Sequence, residues 1–254
     1  MSIFTSKINK NKIYRGIVST TGLLVVLLFW QLVSRQFNSL VFPSPGDTYH
    51  ALWKLFISGE MYTQTLITVQ RTLTGYGLAI ICGVFLAVIL KASEFWQYFI
   101  RPIITIVQTI PPVVWLVLAV IWFGIADNLT PIFLIFVVTF PVIFINIFSG
   151  LDSIDQRLVE MARLYRCNRK QIILAIYLPA LVPHLVSAVS VGLAFAWKAT
   201  IFAEFIGSSS GIGFALSMAN SNLETEKLFA WAIVLITLML IFEYVIFQPI
   251  KNYV

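Results

Sequence analysis

The stretch Gly150–Pro183 reads GLDSIDQRLVEMARLYRCNRKQIILAIYLPALVP. It is the longest polar break in the second half of an otherwise apolar chain. Ser153 followed by Gln156 has the spacing of a capping box, and Asp152 and Asp155 favour a helix N-terminus there. Ile154, Leu158, Met161 and Leu164 or Tyr165 recur at helical spacing and predict one apolar face. Arg157, Glu160 and Arg163 fall on the other side. Asn168 with Gln171 repeats the capping pattern, so a second helix starts there and runs to Pro179, which bends or ends it. The expectation is a pair of helices lying across one face of a membrane, clamped between two apolar runs. An amphipathic helix resting on anionic lipid would show the same pattern.

The runs around this segment set the class. Of 254 residues, 59% are hydrophobic and 11% are charged, and the mean hydropathy is +0.90. Soluble domains carry about 25% charged residues. An ordinary soluble enzyme is excluded, and so is a disordered chain. A spanning helix needs about 20 apolar residues, and about six such stretches occur. They lie near 17–33, 68–90, 103–122, 131–148, 178–202 and 228–247. The expected fold is an all-α integral membrane protein, one transmembrane domain over residues 1–254. The pieces between spans are too short for a separate domain.

The net charge of +6 reflects short basic loops and not a nucleic-acid partner. Lys7, Lys10, Lys12, Arg15, Lys91, Arg101, Arg157, Arg163, Arg166, Arg169, Lys170 and Lys251 fall in pieces that this topology places inside. Arg35, Lys54, Arg71, Lys198 and Lys227 do not. The bias predicts cytoplasmic N- and C-termini and a cytoplasmic segment over residues 152–171. Cys82 and Cys167 are far apart on this topology and read as free thiols. There is no G-x-x-x-x-G-K-[ST], CxxC or HExxH, and the histidines are His50 and His184 alone. No catalytic residue, metal or cofactor is therefore expected.

Several residues inside the apolar runs invite a role. Gly75, Ala79, Gly83 and Ala87 form a stripe of small residues that lets helices approach closely, within one subunit or between two. Lys198 and Glu204 are ionisable groups in or near the fifth span. Separated by about 240° around a helix, they do not face each other. Lys198 either snorkels or attracts an anion in a pathway. Arg71 reads as a snorkelling anchor or a gate. Gln108, Thr109 and Pro111–Pro112 break the third span, where freed carbonyls suit a cavity lining or burial in protein. Trp30, Trp115, Trp122 and Trp231 read as belt or packing residues.

Six short motifs occur in order. They are Phe42-Pro43-Ser44-Pro45, Thr68-Val69-Gln70-Arg71 with Gly75, Ile110-Pro111-Pro112, and Trp122-Phe123-Gly124. Glu160-Met161-Ala162-Arg163 with Leu178-Pro179-Ala180 and Pro183 is the fifth, and Ala196-Trp197 with Glu204 and Ser210-Gly211-Ile212-Gly213 the sixth. Together they resemble the binding-protein-dependent permeases of ABC importers, of the nitrate/sulfonate/taurine type, whose relatives also serve bicarbonate and thiamine-precursor import. The fifth resembles that family's EAA loop, with two departures. Met161 stands where the family has Ala, and Arg166 where it has the glycine that relaxes the turn.

The resemblance implies a type I ABC importer permease fold with a cytoplasmic coupling helix, in a bacterial cytoplasmic (inner) membrane. It implies a transport subunit, not an enzyme, for a small solute. Lys198 leans toward an anion such as a sulfonate or nitrate, and a thiamine-precursor pyrimidine stays open. The implied partners are two ATP-binding-cassette ATPase subunits, a second permease copy in a homodimer, a periplasmic or lipoprotein substrate-binding protein, and membrane lipid. Leu158, Glu160, Met161, Ala162, Arg163, Leu164 and Arg166 would contact the ATPase. Arg71, Gln108, Thr109, Pro111, Lys198 and Glu204 are the pathway or gate candidates. The alternative is a stand-alone secondary transporter or channel, which would carry internal repeats or paired intramembrane charges.

Overall fold

The computed structural model describes residues 18, 21–22, 24–91, 93–125 and 128–248. Lys7, Lys10, Lys12, Arg15, Lys251 and the start of the first apolar run lie outside the described residues. The helices are α1 (Leu24–Ser34), α2 (Pro45–Ile57), α3 (Glu60–Lys91), α4 (Glu94–Thr109), α5 (Pro112–Phe123), α6 (Leu129–Asp152), α7 (Gln156–Leu164), α8 (Arg169–Ile172), α9 (Leu178–Gly207), α10 (Ile212–Ser221) and α11 (Thr225–Ile241). A π-helical turn, Ile173–Tyr177, joins α8 to α9.

Four helices are long and apolar enough to cross a membrane: Glu60–Lys91, Leu129–Asp152, Arg169–Gly207 and Thr225–Tyr244. The third apolar run is different. α4 and α5 meet at 93°, because neither Pro111 nor Pro112 can donate to the preceding turn. Pro111 frees the carbonyl of Val107, and the Trp115 indole N–H takes it at 3.2 Å. Trp115 thus repairs the break.

α6 is the central helix, packed by α3 on one side and α9 on the other. The small-residue stripe of α3 makes this possible. A Cβ at Gly75 would stand 2.8 Å from the Ile132 carbonyl oxygen, and one at Gly83 2.9 Å from Ile143 Cγ2. Ala79 and Ala87 are fully buried. The stripe serves packing within the chain. A second layer joins α2, α10 and α11 through Leu55, Ile212, Ala230 and Trp231. The Phe42–Pro45 motif starts α2. Ser44 Oγ accepts from the Asp47 N–H at 3.1 Å, Asp47 accepts from the Ser44 N–H at 3.3 Å, and Pro45 occupies the first turn. The Trp30 indole N–H, 3.0 Å from the Pro43 carbonyl, ties α1 to this loop.

Two expectations for the polar segment are corrected. Ser153 does not cap α7; its hydroxyl turns back to the Gly150 carbonyl and it ends α6. Asp155 is the cap, accepting from the Arg157 N–H at 2.9 Å. Pro179 does not end the second helix, which is continuous over Arg169–Gly207. The π turn lies immediately before the proline and absorbs the interrupted hydrogen-bond ladder. The Asn168–Gln171 capping box forms as the spacing predicts. At 1.5 Å per residue this 39-residue helix spans about 58 Å. That is longer than a hydrocarbon core of about 30 Å, and the charged end of the helix, Arg169 and Lys170, is the one next to α7.

Candidate functional site

At the opposite end of the bundle from α7, two motif blocks meet. Arg71 on α3 pairs with Glu204 on α9 at 3.1 Å, and both are buried. Glu204 also accepts from Thr68 Oγ1 at 2.8 Å and from the Gly213 N–H at 3.1 Å. Arg71 donates to Asn128 Oδ1, to the Ser210 carbonyl and to Ser210 Oγ. Thr68 Oγ1 accepts from the Ile212 N–H, and Gln64 from the Gly211 N–H. This wiring explains the Gly211-Ile212-Gly213 sequence. Gly211 has φ +98, where L side chains are strained, and a Cβ there would run into the Glu204 carboxylate.

Arg71 is therefore buried and paired, not an anchor snorkelling to an interface. Together with Glu204 it pins the turn after α9 to α3 and to the start of α6. Both residues stand out in the sequence, but their pairing does not. A paired buried charge, a feature expected of a solitary transporter, does exist. It is saturated with hydrogen bonds.

Lys198 faces elsewhere on α9. It is exposed and lines a cleft of about 480 Å³ with Pro111, Pro112, Val113, Val138, Phe195 and Phe202. Pro111 and Lys198 are thus brought together, Lys198 being the one charged residue among the described residues that line this otherwise apolar cleft. Gln108 and Thr109 are exposed on the last turn of α4 and do not line this cleft. The Thr109 hydroxyl is turned back to the Thr105 carbonyl.

On α7, Val159 points inward and is buried, and Ala162 packs against the core. Leu158, Met161, Leu164 and Tyr165 are exposed, Leu164 at 84%. The predicted apolar face therefore points away from the chain, and only Ile154 of that series is buried. Glu160 is exposed beside the row. Arg163, also exposed and three residues on from Glu160, lies one turn from Val159 and lines a cavity behind the helix. Arg166 closes the turn with φ +56. The Cys167 N–H reaches the Ala162 carbonyl at 3.0 Å and the Arg166 N–H the Arg163 carbonyl at 2.9 Å. This is a Schellman ending with arginine at the position that prefers glycine.

The described residues thus form a bundle of helices long and apolar enough to span a membrane, with a cleft between a broken and a continuous one and an exposed apolar row on a short helix. The chain belongs to the family described as binding-protein-dependent transport system inner membrane component, whose model matches residues 79–250. It is an ABC importer permease of the nitrate/sulfonate/taurine type. It is 31% identical over 203 residues to a putative aliphatic sulfonates transport permease of Escherichia coli, covering 79% of this chain and 77% of the relative. The corresponding Bacillus subtilis protein is 28% identical, covering 83% and 76%. A nitrate import permease of Synechococcus elongatus is 29% identical, covering 75% and 71%. The fold is similar to that of a chain of the inward-facing MetNI methionine ABC transporter, with TM-score 0.63 and 17% identity over 74% of this chain and 94% of that one.

Proposed function

We propose that the chain works as a homodimer forming the pathway for a small anion, delivered by an external binding protein and driven by two ATP-binding-cassette ATPases. The named solutes of the relatives, aliphatic sulfonates and nitrate, support the anionic class. So does Lys198 as the one charged residue among the described residues that line its cleft.

The outward apolar row of α7 carries the reading. Leu158, Met161 and Leu164 stand exposed on a nine-residue helix beyond the spans, and this is the form of a helix that docks into a groove. In this reading they fill a groove on the ATPase, with Glu160 and Arg166 at its polar rim and Ala162 seating the helix. ATPase closure moves α7, and the continuous Arg169–Gly207 helix carries that motion to the Lys198 cleft. α7 and both termini then lie in the cytoplasm.

The test is a mild-detergent pull-down of the tagged chain from its native membrane, with mass spectrometry of what accompanies it. A Walker-motif ATPase retained by the wild type and lost with Glu160→Lys, at normal expression, is the expected result. A chain that comes down alone and transports in liposomes would replace this reading with a solitary transporter.

A further inference from the structure

The cavity behind α7 has a volume of about 820 Å³. Lys91, Arg163 and Arg169 line it, with apolar walls from Val88, Ile173 and Leu181 among others. Its cations converge from three elements: the end of α3, α7 and the start of α8. Among the described residues the acid partners are few. Asp152 pairs with Lys91 and lies 3.6 Å from Arg101, and no ion pair reaches Arg163 or Arg169.

We infer that this cavity binds an anionic phospholipid, its phosphate between Arg163 and Arg169 and an acyl chain along Val88, Ile173 and Leu181. Charge complementarity selects the headgroup, as in basic pockets between spans on the cytoplasmic side. The apolar walls select a lipid over a free anion, which would leave them wet. The N-terminal sequence, with Lys7, Lys10, Lys12 and Arg15, carries the wrong charge for this place. The lipid lies against the inner face of α7, behind the row proposed to meet the ATPase, and it holds that helix at a set distance from α3. The lipid site itself does not depend on the ATPase reading.

The test uses the full chain, purified in mild detergent and stripped of lipid. Phosphatidylglycerol is titrated against phosphatidylcholine of the same acyl chains, with native mass spectrometry as the readout. Wild type should retain phosphatidylglycerol preferentially. Arg163→Gln with Arg169→Gln should weaken it by roughly ten- to thirtyfold, two cations near the surface being removed. Arg157→Gln with Lys170→Gln, which removes two exposed charges of the same segment outside the cavity, should not. A second readout guards against misfolding. Cys167 lines the cavity, so in a Cys82→Ser background phosphatidylglycerol should slow its alkylation by maleimide. Equal retention of the two lipids, equal losses in both variant pairs, or protection of Cys167 by inorganic phosphate alone would each overturn the proposal.

Discussion

Replacing Glu204 by alanine removes the carboxylate at the centre of the buried cluster. The side chain is fully buried and accepts from Thr68 Oγ1 at 2.8 Å, Arg71 Nη1 at 3.1 Å and the Gly213 N–H at 3.1 Å. After truncation Arg71, 4% exposed, keeps only neutral acceptors on Asn128 and Ser210. Leaving a buried charge without its counter-charge costs about 3–5 kcal/mol. Arg71→Ala leaves the converse defect and falls in the same range. The double variant buries no charge, so its loss is smaller than the sum of the singles by about 0.5–3 kcal/mol. Denaturant titration of the purified full chain in detergent, run as a double-mutant cycle, reads all four states. Single variants within about 1 kcal/mol of wild type, with additive effects, would refute a structural pin. If those variants also folded normally and lost uptake, the pair would belong to the pathway.

Other consequences can be read with the same unfolding assay or with uptake. Gly75→Ala forces a Cβ to 2.8 Å from the Ile132 carbonyl oxygen and should lose about 1–3 kcal/mol. Gly77→Ala meets nothing within 4 Å and should be neutral or gain up to about 1 kcal/mol; a reversed order would place the close helix contact elsewhere. Arg166→Gly relieves a left-handed backbone and should raise stability by about 1 kcal/mol, and a lowered midpoint would show that the arginine side chain outweighs the strain. Lys198→Met should weaken the apparent affinity for an anionic solute up to about tenfold, while unchanged uptake would remove Lys198 from the pathway.

Much of the helical plan was legible because span length, hydropathy and helical period are local properties. The apolar runs, the Pro111–Pro112 break and the Asn168 cap follow from a few neighbouring residues each. The direction of the α7 face was not legible. Leu158, Met161 and Leu164 form a stripe at helical spacing whether they face the core or a partner. The period reports a face and never its direction. Arg163 shows the same limit, since its spacing sets its side of the helix while its surroundings come from α3 and α8.

The amino-acid sequence determined that this chain is a helical membrane protein, where its apolar runs lie, and that Arg71 and Glu204 are unusual. It determined the resemblance to a permease family as well, through six short blocks in order. Only the tertiary structure decided that two of those blocks are one device. Arg71 and Glu204 are separated by 133 positions, and no local rule joins them. The packing of α3 and α9 around α6 brings them within 3.1 Å. Once water is excluded there, each buried charge is stable only beside the other.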